Sequence, residues 1–199
     1  MCGFSNFSGI LVVYQNKKVQ GDAMLKLYIS LLKGINVAGQ KKIPMTDLVA
    51  LYQKIGFVDV ISYIQSGNVI FKSTDSDLGQ IANKIQAAIL KYFCFTVDVL
   101  IKTPSDFQRV VQQNPFKTEQ TYITFLWQKP AIIPNEAIKK ATLPGEEIKI
   151  LEDIIYFSCP KNYGKSKLSN NFFEVKFKIS ATTRNWKTVN CLLAMTMSS

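Results

Sequence analysis

Val58-Asp59-Val60-Ile61-Ser62-Tyr63-Ile64-Gln65-Ser66-Gly67-Asn68-Val69-Ile70-Phe71-Lys72 is the stretch on which the fold turns. β-Branched and aromatic residues fill both sides of Ser66-Gly67, and a glycine beside an asparagine supplies the unusual φ values of a tight turn. The pattern predicts a hairpin with strands over 58–65 and 68–72. Upstream, Leu48, Leu51, Tyr52 and Ile55 recur at helical spacing, and Gly56 stops that helix. Before it, residues 26–32 are β-rich and mostly apolar, as a central strand is. Downstream, Thr74-Asp75-Ser76-Asp77 offers capping side chains to a helix carrying Leu78, Ile81, Ile85, Ile89 and Tyr92. A strand over 96–102 completes β-α-β-β-α-β, the ferredoxin-like order.

The rest of the chain partly repeats this order. Thr103 caps a helix with Pro104 at its first position, and Asn114-Pro115 ends it. Residues 121–127 alternate and are rich in aromatics, so they read as a strand. Pro130 and Pro134 precede a short helix over 135–141, and a second hairpin folds about Glu152-Asp153. Helices over 166–177 and 182–197 finish the chain, the last one capped by Thr182 or Thr183. The expected fold class is α+β: two ferredoxin-like βαββα(β) subdomains packed together, 24–102 and 103–199, with an extra C-terminal helix. No low-complexity linker separates them.

Residues 1–23 differ in character. They lack a clean period and end in a polar run, and a regular strand pattern begins just after Met24. Gln20-Gly21-Asp22 is encodable as CAA GGA GAT, which contains the bacterial ribosome-binding sequence AAGGAG. The expectation is that residues 1–23 are a non-native extension and that translation starts at Met24. An intact mass of the native protein that retains Cys2 would refute it.

Composition removes several chemistries. The chain has 199 residues, 47% of them hydrophobic and 19% charged, which marks an ordered globular protein. It contains no histidine, so histidine triads, histidine general bases and the usual zinc sites are absent, and no acid spacing suggests a metal cage. Cys2, Cys94, Cys159 and Cys191 are scattered without a C-x-x-C pair and read as free thiols. The longest early apolar run, Ile10 to Tyr14, is too short for a membrane span, and no basic residues precede it as in a signal peptide. A cytoplasmic location follows as the expectation, with no membrane partner. The net charge is +10, and from Lys161 onward seven basic residues face one acid, Glu174.

Three polar clusters are the candidate sites: Lys33-Gly34-Ile35-Asn36, Gln65-Ser66-Gly67-Asn68 and Thr183-Arg184-Asn185-Trp186-Lys187. Glycine admits close backbone approach, amides donate and accept, and Arg184 offers a fork suited to phosphate or carboxylate. Lys42 ends the loop of the first cluster, and Lys167 comes from the basic C-terminal segment. Candidate ligand-binding residues are therefore Lys33, Asn36, Lys42, Gln65, Ser66, Asn68, Lys167, Arg184 and Asn185. The same groups also build ordered turns, and an internal pair at Arg184 is an equal use of its geometry. Trp186 is in register with Val189 and Leu193 and reads as core. There is no P-loop and no RNA-recognition aromatic signature, and no cofactor is expected.

At these residues the chain resembles a bacterial family called domain of unknown function 1697. The matching stretches include Leu31-Leu32-Lys33-Gly34-Ile35-Asn36-Val37, Tyr63-Ile64-Gln65-Ser66-Gly67-Asn68-Val69, Asn114-Pro115-Phe116, Ser166-Lys167-Leu168 and Thr183-Arg184-Asn185-Trp186-Lys187-Thr188-Val189. Lys33 stands where the family usually has arginine, and Ala38 where it usually has a second glycine. Lysine keeps the charge and loses the planar fork. The resemblance implies an α+β fold with ferredoxin-like halves, and no established activity, substrate or cofactor.

Three functions are compatible with this sequence. One is a binding protein for an anionic partner: a nucleotide, a phosphorylated metabolite or a nucleic acid. The second is a histidine-free enzyme using a desolvated lysine in a pocket between the halves. The third is an interaction module whose polar clusters lock the subdomains together.

Overall fold

The computed structural model describes residues 24–37, 39–116, 118–160 and 163–197. The expectations made for residues 1–23 and for Ala38 lie outside the described residues.

The first half runs β1 (Lys26–Leu32), α1 (Met45–Lys54), β2 (Val58–Tyr63), β3 (Asn68–Ser73), α2 (Leu78–Phe93), β4 (Val99–Lys102) and α3 (Pro104–Gln113). The second runs β5 (Thr121–Leu126), α4 (Asn135–Ala141), β6 (Glu147–Leu151), β7 (Ile154–Ser158), α5 (Asn170–Phe177), β8 (Ala181–Asn185) and α6 (Trp186–Met197). Each half forms one antiparallel four-stranded sheet, ordered β2-β3-β1-β4 and β6-β7-β5-β8. The α+β class and the paired ferredoxin-like halves are thus present.

Side-chain alternation builds the layers. In β1, Tyr28 and Leu32 face α1 and α2 in one buried cluster, whereas Ile29 and Leu31 face the other way. Ile29, Leu31 and Ile70 of the first sheet meet Ile123, Phe125, Ile154 and Tyr156 of the second, with Phe107 and Val110 of α3 and Val189 and Leu192 of α6 between them. The outer face of the second sheet is covered by α4 and α5 through Ile138, Phe173 and Phe177. The order is helices, sheet, helices, sheet, helices, and the middle layer belongs to both halves. Because β1 is covered on both faces it is apolar from Leu27 to Leu32 apart from Ser30, whose hydroxyl pairs with the Tyr52 hydroxyl at 2.9 Å.

Two expectations are corrected. Residues 182–185 are not the first turn of the last helix: they form β8, the edge strand beside β5. Asn185, rather than Thr182 or Thr183, caps α6, its side-chain oxygen accepting from the Thr188 N–H at 2.7 Å. The C-terminal helix is therefore no appendage. α3 follows β4 as α6 follows β8, so the helix after residue 102 groups with the first half rather than opening the second, and each half reads βαββαβα. The first hairpin also turns earlier than its sequence suggests. β2 ends at Tyr63, which pairs with Asn68, so Ile64-Gln65-Ser66-Gly67 is a four-residue turn with positive φ at Ile64 and Gly67.

Candidate functional site

β8 places Arg184 opposite Ile123, so the guanidinium points inward at the first half. Nε donates to Asn68 Oδ1 at 2.6 Å, Nη1 to Thr182 Oγ1 at 2.7 Å and the Thr183 carbonyl at 3.0 Å, and Nη2 to the carbonyls of Leu32 at 2.9 Å and Ser66 at 3.0 Å. A guanidinium carries five N–H groups, and the protein takes all five. Every acceptor is neutral and the residue is 7% exposed. Burial pulls the guanidinium down to about 10, which leaves it protonated at neutral pH.

The other two clusters are spent on the same seam. Asn68, fully buried, gives its amide N–H groups to the Tyr63 carbonyl and Ser66 Oγ, and its oxygen to Arg184. Asn36 Nδ2 donates to the carbonyls of Gln65 and Ile43 at 2.9 and 3.0 Å, while its oxygen accepts from the Ile43 N–H. The carbonyls of Tyr63, Gln65, Ser66 and Gly67 are thus each held by a named donor, the last by the Leu32 N–H at 2.8 Å. That grip maintains Ile64 at φ 51°, a region costing a β-branched residue about 1–3 kcal/mol. Lys33 lies 2.5 Å from Glu174 and 3.4 Å from Asp98. Burial alone would lower its ammonium, but the hydrogen bond and charge of Glu174, with Asp98 behind, outweigh that and raise it. A desolvated neutral amine is what nucleophilic catalysis requires, and Lys33 is held in the opposite state.

The seam has an approximate two-fold arrangement that identity between the halves does not reveal. The Leu32 N–H donates to Gly67 and the Lys33 N–H to Asp98; the Leu126 N–H donates to Asp153 and the Trp127 N–H to Ser180. Registers agree: Lys102 lies opposite Ile29, and Arg184 opposite Ile123. Lys102 and Arg184 therefore hold equivalent places, as do Gly67 and Asp153, and Asp98 and Ser180. Ser180 Oγ donates to Asp98 at 3.1 Å, so this pair of equivalents sits on the axis. To one side Arg184 reaches the β2–β3 turn; to the other Lys102 reaches Asp153 in the β6–β7 turn at 2.6 Å. Such exchange of like contacts is the mark of an isologous interface, here within one chain.

Of the nine candidates, Asn36, Gln65, Ser66, Asn68 and Arg184 come together, with Lys33 alongside. Gln65 contributes its carbonyl and leaves its side chain exposed. Lys42 is exposed at the loop, and Asn185 caps a helix. Lys167 lies elsewhere, in a groove of about 510 Å³ between α4 and α5 lined by Glu136, Ala137, Lys140, Ala141, Phe172 and Lys176 as well. Sequence reading missed Lys102, Asp153 and Glu174, whose partners are distant in the chain, and also Lys140 and Lys176. The doublet Lys139-Lys140 at the end of a short helix was the available signal for the groove. Among the described residues no helix is long and apolar enough to cross a membrane.

Comparison with known proteins bears on the family and the fold. The family model for a protein of unknown function, DUF1697, matches residues 25–156. Among solved structures, the conserved bacterial protein SP0830 from Streptococcus pneumoniae is similar at a TM-score of 0.66 and 24% identity, over 86% of this chain and 99% of that one. A likeness at that identity concerns the fold. No curated protein matches.

Proposed function

The chain belongs to the DUF1697 family of proteins of unknown function, and from that premise we propose that it is a cytoplasmic, non-enzymatic binding protein for an anionic partner, which it meets on the basic outer face of its second half. The polar clusters are assigned to locking the halves, since Arg184, Asn68 and Asn36 keep no donor for a ligand. The single observation that carries the reading is that three lysines outside any ion pair line one groove. Lys33, Lys72, Lys84, Lys102, Arg109 and Lys129 are each in ion pairs. Among the described residues, Lys26, Lys41, Lys42, Lys54, Lys91, Lys149 and Lys187 enter no ion pair, but they come from β1, the loop after it, α1, α2, β6 and α6. The unpaired Lys140, Lys167 and Lys176 instead line one groove, with Lys139, Lys165 and Lys178 near them in the chain. Unpaired like charges gathered at one groove raise the local concentration of anions.

Full-length protein is expected to be retained on heparin at low salt and released as salt rises, because the attraction is screened. Passage through the column unretained at low ionic strength would end this reading.

A further inference from the structure

We propose that the groove between α4 and α5 binds single-stranded nucleic acid, with Lys140, Lys167 and Lys176 on the phosphates and Phe172 under a base; this rests on the anionic-partner reading above. The lining joins three cationic side chains to an apolar floor of Ala137, Ala141 and Phe172, with Glu136 the one acid. A volume of about 510 Å³ is of the size that holds a small ligand or a nucleotide unit. Single strands are bound by this combination, a cationic track for the backbone and an aromatic face for a base. Phe172 is half-buried and packs edge-on against Phe173 with ring centroids 5.6 Å apart, so its ring is held in place rather than free. The backbone nearby is also fixed: the Phe172 N–H is taken by the Ser169 cap and α5 closes at Lys178 in the left-handed conformation. Duplex is the poorer fit, since its bases are stacked away from Phe172 and only the phosphates remain to be met. An acidic protein would satisfy the lysines and leave the ring without a specific role.

The experiment uses full-length protein and a fluorescently labelled thymidine decamer, read by anisotropy across a salt series. Three phosphate contacts predict a log–log slope of about −2 for a single strand. Lys167→Gln should flatten that slope by about 0.7, and the combined Lys140→Gln, Lys167→Gln, Lys176→Gln variant should weaken binding at least tenfold; these side chains are exposed, so the fold is kept. Phe172→Leu keeps apolar volume and removes the π face, and should weaken the decamer about tenfold while leaving heparin retention unchanged. Retention on heparin without decamer binding overturns this inference and leaves the broader reading standing. Decamer binding indifferent to the groove variants, duplex bound as tightly as single strand, or polyglutamate bound as tightly as the decamer would each overturn it too. Loss of heparin retention in the unmodified protein overturns both.

Discussion

Arg184→Met is expected to lower the stability of the folded protein by about 3 kcal/mol, shifting the urea midpoint with little change in slope. Arg184 donates to three acceptors across the seam, the Leu32 and Ser66 carbonyls and Asn68 Oδ1. A buried acceptor left unpaired costs about 1–3 kcal/mol. Relief of the buried charge offsets part of the sum, and methionine refills most of the volume, which together bring the net to the stated figure. For a chain of this length that corresponds to roughly 10 °C in melting temperature. Arg184→Lys should recover only a fraction, because an ammonium has three donors and no fork to span Leu32, Ser66 and Asn68 together. Lys102→Met is the internal control. It removes the equivalent cation on the other side of the axis, but that contact is a single, partly wet ion pair, with Lys102 12% and Asp153 23% exposed. Its loss should cost under about 1 kcal/mol. Equal effects at the two positions, or an Arg184→Met protein within about 1 kcal/mol of the original, would defeat the lock.

Much of the fold was open to sequence reading because it is local. The Thr103 capping box, Pro104 at the helix start and the Asp77 cap are all formed as their spacing suggests. The Ile81, Ile85 and Ile89 stripe is buried under the first sheet. β8 escaped that reading for a physical reason. A strand is recognised by alternating apolar residues, and the inward places of Thr182-Thr183-Arg184-Asn185 carry polar groups instead. Their partners come from far along the chain: Asn68 is 116 positions from Arg184. Nothing local announces such a strand, and Trp186 in register with Val189 and Leu193 pulled the helix boundary upstream. The first hairpin was misjudged similarly. Asn68 begins β3 as expected, opposite Leu31, but β2 stops at Tyr63 rather than 65, because Ile64 turns to φ 51° and the carbonyls of Gln65 and Ser66 are gripped by Asn36 and Arg184.

The residue types marked the clusters, and their chemistry was open because the same groups serve a ligand or a neighbouring backbone. What decides between them is whether donors are left over. That is a property of the assembled seam, invisible until both halves are placed. The repeated element order was legible, but the residue equivalence at the seam was not, since Lys102 answers to Arg184 and Gly67 to Asp153, pairs that share no identity. One half contributes a cation with neutral acceptors and the other a cation with a carboxylate, so the same geometry is held by two different balances of charge and desolvation.

Gly67→Ala should destabilise the protein about as strongly as loss of Arg184, by about 3 kcal/mol, although it adds one methyl group. Gly67 sits at φ +74°, and an added Cβ would lie 2.7 Å from Leu32 Cβ and 2.9 Å from Ile35 Cδ1. The φ alone costs an alanine about 1–2 kcal/mol. The contact with Leu32 involves an atom one bond from the backbone, which no rotamer change can withdraw. Relief requires β1 and the turn to separate, and that stretches the Leu32 N–H bond to the Gly67 carbonyl while moving the Leu32 and Ser66 carbonyls that Arg184 grips. Overpacking of this kind costs about 1–3 kcal/mol. Gly34→Ala separates the two contributions, for Gly34 has φ +65° and nothing within 4 Å of its built Cβ. It should lose only the conformational part, about 1–2 kcal/mol. Hydrogen exchange supplies the second readout: the Leu32 amide should exchange faster in Gly67→Ala and stay protected in Gly34→Ala. Equal losses for the two substitutions would mean that the turn yields freely and that the seam does not hold it.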